Sequence, residues 1–288
     1  MLPKDRKILI IGLGLIGGSY AEGLKQAGYQ VGAITRSPKT IDYALAKGII
    51  DSGTTEVTAD YVGQFDLLVF ALYPHIFLDW IAHYQECIKP GALLTDVTGV
   101  KGAVVYQVQE MLRHDLEFIG AHPMAGREVG GVEHADCRIF QGANYIVTPT
   151  EANSPEAVRT CEELGRTLGF ARISTLSPER HDEMVGFLSQ LTHCIAVSLM
   201  NCKDSRQLVD FTGDSFRDLT RIARINDEMW TELFALNKTE LLDQMDLFQD
   251  EFRRLRDAIA SDDADTVREM MRTSTLRRSY FDKKEDQI

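Results

Sequence analysis

A histidine that could act as a base stands where a buried strand is expected to end. Residues 118–121 (FIGA) form an apolar run typical of a buried strand, and His122 and Pro123 follow it directly. Histidine has an ordinary pKa of about 6.5, which suits it to taking a proton near neutral pH. The glycine-rich segment 124–131 leaves room for a ligand beside it. The competing interpretation is a structural histidine that is bonded to a neighbouring carbonyl group.

A second candidate for chemistry is a glycine turn near the N-terminus. Gly12, Gly14 and Gly17 form a GxGxxG motif between the apolar run KILII and a helical segment. The first glycine of such a motif permits a tight turn, the second lets the backbone approach a pyrophosphate, and the third lets helix and strand pack closely. The motif in this setting predicts dinucleotide binding. The residues expected to contact the cofactor are Gly12, Gly14, Leu15, Ile16, Gly17, Thr35, Arg36, Ser37, Ala71 and Leu72.

The residues after the second expected strand indicate which dinucleotide binds. This position normally holds a carboxylate for the ribose 2′-hydroxyl of NAD, but here it reads Thr35-Arg36-Ser37. An arginine there can pair with the 2′-phosphate of NADP, and the neighbouring hydroxyls can donate to that phosphate. The sequence therefore favours NADP, with NAD left open. The alternative is that Arg36 is a solvated loop residue that lies over the adenine.

The elements that must position these residues alternate in the first half of the chain. Strand-like runs separated by helical segments are typical of a mostly parallel, doubly wound sheet. These runs are KILIIG, QVGAIT, FDLLVFAL, ALLTDV, FIGA and NYIVTP. From about Pro178 no strand-like run is visible, and apolar residues between positions 241 and 259 keep helical spacing. The predicted fold is α/β, with an N-terminal Rossmann-type domain (residues 1–176) followed by an all-helical C-terminal domain (residues 177–288).

Composition excludes several classes of function. The 288 residues carry a net charge of −12, which argues against nucleic acid or an anionic membrane as a partner. It does not exclude an acidic small ligand, because a local cluster of arginine and histidine can hold one. The five cysteines include no CxxC pair and no zinc-ligand spacing, so we expect no metal site and reduced thiols in a cytoplasmic protein. No segment approaches the roughly 20 consecutive apolar residues of a membrane span.

Five segments together resemble the prephenate and arogenate dehydrogenase family of tyrosine biosynthesis. In chain order they are GLGLIGGS, DVTGVKGAV, GAHPMAGREVGG, SPERHDEMVGFLSQLTH and FRDLTRIARINDEMW. The resemblance extends over residues 6–275, nearly the whole chain. It implies an NAD(P)-dependent dehydrogenase that converts prephenate to 4-hydroxyphenylpyruvate by oxidative decarboxylation. L-Arogenate stays open as the substrate, because the two compounds differ only by a keto or an amino group on the side chain.

The resemblance also implies roles for individual residues. His122 matches the family's catalytic histidine, which takes the proton from the ring hydroxyl of the substrate. His193 matches a histidine of the substrate pocket, and Arg221 matches the arginine that holds the ring carboxylate. Lys101 lies in the loop TGVKG, which is expected to line the cofactor and substrate cleft. The structural alternatives are a satisfied core histidine at 193 and an exposed helix arginine at 221 that pairs with Asp218.

One position departs from the family pattern. Family members often carry a serine before the valine of that loop, where its hydroxyl bonds to the catalytic histidine, but this chain has Gly99. Thr98, one residue earlier, is the candidate to supply a catalytic hydroxyl in its place.

Two other functions share parts of this pattern. The β-hydroxyacid dehydrogenases also join a Rossmann half to a helical half, but their usual GxxGxGxxxK segment is not found in this sequence. A non-catalytic NADP-sensing regulator would keep GxGxxG and would need no histidine and arginine set. A homodimer is expected for this chain, because the helix 239–259 has apolar residues over a broader arc than one neighbour would cover.

Overall fold

The fold is built on one eight-stranded sheet. A computed structural model describes residues 2–127, 129–204 and 206–282 of the chain. The strands are β1 (Lys7–Ile11), β2 (Gln30–Ile34), β3 (Ser52–Thr54), β4 (Leu67–Phe70), β5 (Leu93–Asp96), β6 (Glu117–Pro123), β7 (Asn144–Thr148) and β8 (Arg172–Thr175). Their order in the sheet is β3-β2-β1-β4-β5-β6-β7-β8. The first six strands therefore have the 3-2-1-4-5-6 order of a dinucleotide-binding sheet, and the α/β prediction is confirmed.

One pairing in the sheet is antiparallel. β6 pairs antiparallel with β7, with His122 opposite Ile146, whereas the pairs on either side are parallel. His122 therefore lies inside β6, one residue before its last residue, and not after the end of the strand as expected. The antiparallel partner extends β6 through Pro123. Even so, His122 lies at the carboxyl end of β6, which neighbours the carboxyl end of β5.

Helices cover the sheet and form most of the described segment after β8. Within the described residues the α-helices are α1 (Leu15–Gln26), α2 (Pro38–Ala46), α3 (Ala59–Val62), α4 (Pro74–Tyr84), α5 (Gly102–Met111), α6 (Pro155–Thr167), α7 (Pro178–Val185), α8 (Leu191–Asn201), α9 (Asp214–Thr220), α10 (Asp227–Leu236), α11 (Lys238–Ala260) and α12 (Ala264–Ser279). Local signals define their ends. The Ser37 side chain caps α2 by accepting from Thr40 N, and α1 is followed by Gly28 with a φ of 84°.

The core has one cluster of apolar side chains on each face of the sheet. Alternate residues of β1 point to opposite faces, so that Ile8 and Ile10 lie in one cluster and Leu9 and Ile11 in the other. The second cluster also takes in Leu233 of α10, which attaches this helix to the sheet domain.

The segment after β8 contains helices and turns and no strand among the residues that the structure describes. α7 and α8 form one continuous helical run, Pro178–Asn201, that is interrupted by a π-helical turn at Gly186–Gln190. By length and composition alone this run could cross a membrane, although the sequence suggested no such segment. One run of this kind carries little weight, because core helices of water-soluble proteins meet the same criterion.

By its internal contacts the chain divides into two compact units, Met1–Lys238 and Thr239–Ile288. The first contains the sheet and the helices up to α10, and the second contains most of α11 and all of α12. The expected domain boundary at residues 176 and 177 stays a prediction. Within the second unit, α11 exposes a set of large apolar side chains, Leu242, Leu247, Phe248, Phe252 and Ile259.

Candidate active site

The carboxylate of Asp182 lies at the N-terminus of α5. Its two oxygens accept hydrogen bonds from Lys101 N at 2.8 Å and from Gly102 N at 2.7 Å. The first N–H groups of a helix have no partner within the helix, and the helix dipole favours a negative charge at this end. Lys101, the N-cap residue of α5, supplies no cap from its own side chain, so Asp182 supplies one from α7. The start of α5 is thereby attached to the helical segment.

Two histidines continue from this carboxylate as a chain of hydrogen bonds. His181 Nδ1 lies 2.7 Å from Asp182 Oδ1, and His122 Nδ1 lies 2.8 Å from His181 Nε2. A carboxylate only accepts, so His181 carries its proton on Nδ1, and Nε2 of the neutral ring accepts from Nδ1–H of His122. Nε2 of His122 then holds the lone pair. The chain of bonds selects one tautomer of His122 and leaves one defined atom able to take a proton.

The protonation states of both rings agree with this arrangement. Burial lowers the pKa of His122 well below its usual value, and positive charge on His181 and Lys101 would act in the same direction. Burial also lowers the pKa of His181, against the opposing effect of the Asp182 carboxylate. Both rings are therefore neutral near pH 7.

Gly99 lies beside the His122 ring. A Cβ built on Gly99 would be 3.9 Å from His122 Cε1 and 3.4 Å from Leu233 Cδ1. A side chain at position 99 would thus contact the histidine, as the family serine is expected to do. In this chain His122 instead donates its Nδ1 proton to His181 Nε2.

Two expected site residues form part of a buried structural cluster. The Thr98 hydroxyl bonds to the Asp96 carboxylate and lies 2.9 Å from Val100 O. Lys101 Nζ lies 2.7 Å from Asp96 Oδ2, with both side chains fully buried. These contacts contradict two expectations. The Thr98 hydroxyl is bonded to Asp96 and not to His122, and the Lys101 side chain is buried against Asp96 and does not line the cleft. The turn after β5 points both side chains into the protein, toward Asp96.

The Asp96 carboxylate is held from several sides. Oδ1 accepts from Ala121 N at 3.0 Å, and Oδ2 accepts from Thr98 N at 3.0 Å in addition to the bonds from Thr98 and Lys101. Burial lowers the pKa of Lys101, although its partner Asp96 acts in the opposite direction. Because Ala121 directly precedes His122, this cluster fixes the backbone that carries the base.

His193 lies on α8 against an aromatic ring of α10. Its ring stacks on Trp230 with centroids 3.8 Å apart and planes at 30°. Nδ1 lies 2.8 Å from Ser189 O, and because a carbonyl oxygen only accepts, Nδ1 carries the proton. The side chain is partly buried, and its orientation is set by both contacts.

Arg221 lies in the 3₁₀ turn Arg221–Ala223, which packs beside α8. The apolar spacing of residues 216–223 predicts a single helix that buries one side, but α9 ends at Thr220 and the 3₁₀ turn follows it. Phe216 and Leu219 are exposed at 38% and 54%, so the prediction of a buried apolar side is wrong for these two residues.

The glycine turn has the shape of a dinucleotide cradle. A Cβ on Gly12, whose φ is 100°, would lie 2.3 Å from Ala71 O, and a Cβ on Gly17 would lie 1.9 Å from Gly12 O. A Cβ on Gly14, the N-cap of α1, would meet no heavy atom within 4 Å. The N-terminus of α1 carries no side-chain cap and no acidic residue in its first turn. Its N–H groups, including those of Leu15 and Ile16, therefore suit a pyrophosphate.

The other expected cofactor residues lie on the same edge of the sheet. Thr35, Arg36 and Ser37 follow β2, and Ala71 and Leu72 follow β4, which are the two neighbours of β1. The Arg36 side chain is exposed, and the Ser37 hydroxyl accepts from Thr40 N while its own proton stays available to a ligand.

One group within the described residues has ligand atoms close enough for a metal ion. It consists of Glu22, Asp136 and Cys137, with these atoms within 4.8 Å of one another. Glu22 Oε2 already accepts from Cys137 N at 2.6 Å, and Asp136 pairs with Arg138 at 2.8 Å. The sequence did not suggest this group.

Sequence reasoning did not assign His181 and Asp182. Their only signal was an adjacent histidine and aspartate in SPERHDEMVG, at the start of the first helix after the sheet. A pairing over 59 positions between His122 and His181 has no local pattern that would reveal it.

Stability should fall as the two histidines are forced to take protons. Both have folded pKa values below the usual 6.5, so below about pH 6.5 the unfolded chain binds more protons than the folded one. The free energy of unfolding should therefore fall with decreasing pH, by up to about 1.4 kcal/mol per pH unit for each histidine. Urea unfolding at pH 7.5, 6.5 and 5.5 measures this.

His181→Gln should make that dependence on pH shallower, whereas the matched change His134→Gln at an exposed histidine should leave it unchanged. Equal slopes for the wild type and His181→Gln would contradict the assignment.

The chain resembles known proteins over most of its length. The chain matches the family model described as "Prephenate dehydrogenase, nucleotide-binding domain" over residues 20–173 and that described as "Prephenate dehydrogenase, dimerization domain" over residues 177–273. It is 30% identical to a prephenate dehydrogenase of Bacillus subtilis, over 93% of this chain and 74% of the relative. It is 29% identical to a cyclohexadienyl dehydrogenase of Zymomonas mobilis, over 95% of each chain.

A solved structure resembles the whole chain. It is the crystal structure of prephenate dehydrogenase from A. aeolicus in complex with hydroxyphenyl propionate and NAD⁺. The two chains are 27% identical, with a TM-score of 0.88 and coverage of 98% of this chain and 100% of that one. With a nucleotide-binding sheet, a helical segment that contributes to the site and these matches over most of its length, the chain belongs to the prephenate dehydrogenase family of nicotinamide-dependent dehydrogenases.

Proposed function

We propose that this chain is a prephenate dehydrogenase of tyrosine biosynthesis, which converts prephenate to 4-hydroxyphenylpyruvate by NAD(P)-dependent oxidative decarboxylation. The observation that supports this best is the chain from Asp182 through His181 to His122, which leaves Nε2 of His122 as a base. The name and bound ligands of the A. aeolicus structure support the same reaction. L-Arogenate is the alternative substrate, with the same ring chemistry.

In the proposed reaction His122 Nε2 takes the proton of the ring hydroxyl. As the O–H bond breaks, the oxygen forms a double bond to its carbon, and the hydrogen on that carbon leaves as hydride. A nicotinamide cofactor held at the turn of Gly12, Gly14 and Gly17 would supply the acceptor for this hydride. The ring carboxylate then departs as carbon dioxide and its bonding electrons make the ring aromatic. His181 accepts the Nδ1 hydrogen bond throughout, so it stabilises the positive charge that His122 gains.

The cation for the ring carboxylate is proposed to be Arg221, with His193 in the same pocket. The turn that carries Arg221 packs beside α8, which carries His193. A protein with a net charge of −12 must place positive charge locally to bind a substrate with two carboxylates. The guanidinium group can bind both oxygens of a carboxylate at once.

NADP is the proposed cofactor, with NAD as the alternative. Arg36 and Ser37 directly follow β2 and no carboxylate is found among these residues, which supports a site for a 2′-phosphate. The A. aeolicus structure contains NAD⁺, which supports the alternative.

The remaining proposals concern assembly and location. We propose a helical substrate-binding and dimerisation domain over residues 177–288, a homodimer and a cytoplasmic protein. The name of the second family model and the exposed apolar side chains of α11 support the dimer.

Two alternative functions are less well supported. Neither a reaction of the β-hydroxyacid type nor a regulator without activity requires the chain of hydrogen bonds that ends at His122.

Replacing the base tests the reaction directly. His122→Asn should reduce turnover of prephenate about 10²–10⁴-fold, because the base that accepts the hydroxyl proton is removed. Cofactor affinity should stay near the wild-type value. Absorbance at 340 nm with prephenate and NADP⁺ measures turnover, and His134→Asn is the control at an exposed histidine. A variant that kept more than half of the wild-type turnover would exclude His122 as the base, and a wild type without signal would support the regulator.

The cofactor proposal depends on Arg36. Arg36→Ala should weaken NADP⁺ binding about tenfold and change NAD⁺ binding little, because one charged hydrogen bond is worth at least about 1.5 kcal/mol. Binding of both cofactors by calorimetry measures this. The control is Lys47→Ala, which removes the same charge at the other end of α2. If the ratio of the two affinities stayed constant, Arg36 would not contact the phosphate.

Arg221 should be required for the substrate and not for the cofactor. Arg221→Ala should lower kcat/KM for prephenate about 30- to 1000-fold, and Arg221→Lys should restore only part, since a point charge cannot bind both oxygens. Arg217→Ala on the exposed face of α9, where Arg217 pairs with Asp214, is the matched control. A loss below threefold, or an equal loss of NADP⁺ affinity, would show that the carboxylate is bound elsewhere.

The dimer proposal makes a prediction about mass. Sedimentation at micromolar concentration should give about twice the chain mass of 32.3 kDa. Phe252→Asp should shift the protein toward monomer, because Phe252 lies in the exposed apolar set of α11 and is itself 63% exposed. Glu251→Gln, at the adjacent position, should leave the mass unchanged. A monomeric wild type would contradict the proposal.

A further inference from the structure

The start of α4 is capped from another helix. Glu232 of α10 accepts from His75 N at 2.7 Å and from His75 Nδ1 at 2.8 Å. The residue at the N-cap of α4, Tyr73, supplies no cap from its own side chain. The Glu232 carboxylate is only 18% exposed, so the helix end and the partly exposed imidazole both depend on it.

A second bond joins the same two helices. Asn226 caps α10 by accepting from Met229 N at 3.0 Å, and its Nδ2 donates to Tyr73 Oη at 3.0 Å. The segment 73–75 and α10 are thus connected at two points. This segment directly follows Ala71 and Leu72, the residues at the end of β4 that are proposed to contact the cofactor.

The cofactor turn is in direct contact with the end of β4, two residues before this segment. Ala71 N donates to Ile11 O at 2.8 Å, and Ala71 O would be only 2.3 Å from a Cβ on Gly12. A ligand that orders the glycine turn therefore also orders the β4 end and, through it, the start of α4.

The opposite side of α10 contacts the substrate half of the site. Trp230 stacks on His193, and Leu233 lies beside Gly99, which in turn lies next to the His122 ring. Leu233 O also accepts from Gln190 Nε2 at 3.3 Å. One helix of ten residues thus contacts the cofactor side through Glu232 and the substrate side through Trp230 and Leu233.

We propose that Glu232 is a positioning residue that couples the cofactor site to the substrate site through α10. The proposal rests on the proposed function, because it assigns the two sides of α10 to the two ligands of that reaction. Ordering of the β4 end by the cofactor holds His75 against Glu232, and Glu232 holds α10 in the position that places Trp230 against His193.

The test is the effect of one ligand on the affinity of the other. Calorimetry gives the Kd of 3-(4-hydroxyphenyl)propionate with and without saturating NADP⁺ or NAD⁺. In the wild type the cofactor should tighten this binding about tenfold, within the usual range for coupled sites. In Glu232→Ala the ratio should fall below about twofold, while each ligand alone binds within about threefold of wild type.

Three further variants separate coupling from stability. Two variants should retain part of the coupling. His75→Ala keeps the hydrogen bond from the backbone N–H at position 75 to Glu232, and Glu232→Gln keeps a neutral acceptor. Glu228→Ala, the loss of an exposed acid from the same helix, should retain all of it. A Glu232→Ala variant that loses thermal stability but keeps the tenfold ratio would overturn the proposal, as would a wild type without coupling.

Failure of the proposed function would look different. A wild type that binds cofactor but neither turns over prephenate nor binds the analogue would refute both the function and the coupling. The other case is a wild type that is active and shows coupling, with equal coupling in Glu232→Ala. That result would refute only the role of Glu232.

Discussion

The rest of the site depends on one carboxylate, that of Asp182 at the N-terminus of α5. It accepts from Lys101 N, Gly102 N and His181 Nδ1, so that it caps a helix of the sheet domain and sets the tautomer of a histidine with the same two oxygens. A helix N-terminus favours a negative charge, so this position suits a carboxylate. The orientation and proton position of His122 follow from it through His181.

A second buried acid holds the backbone next to the same base. Asp96 binds Lys101 Nζ and the backbone of Ala121, the residue before His122. Removing one partner of a buried pair of this kind leaves an uncompensated charge, which typically destabilises by about 3–5 kcal/mol. Asp96 therefore fixes where the His122 backbone lies, and Asp182 fixes which nitrogen of its ring carries the proton. The two acids have separate tasks although both lie near Lys101.

The features that sequence could predict are those encoded within a short segment. The turn at Gly12, Gly14 and Gly17 and the alternation of strands and helices were both readable, because each depends on neighbouring residues. β3, with the sequence SGT, has no apolar residue and gave no signal. The directions of Thr98 and Lys101 were not readable, since they depend on a turn whose side chains point inward to Asp96. The pairing of His122 with His181 depends on how the first helix after the sheet packs back onto β6.

The π turn at Gly186–Gln190 lies between His181 and His193 on one continuous helical run. On an uninterrupted α-helix, two residues twelve positions apart would point about 120° away from each other. A single π turn takes in about one extra residue, which reduces that angle to about 20° and brings both histidines to one face. A regular α-helix with the two histidines eleven positions apart would also leave them about 20° from each other. The π turn therefore lets this run hold one more residue between the histidines without turning either of them away. Loss of one residue from Gly186–Gln190 would return the helix to regular winding and keep both histidines on one face.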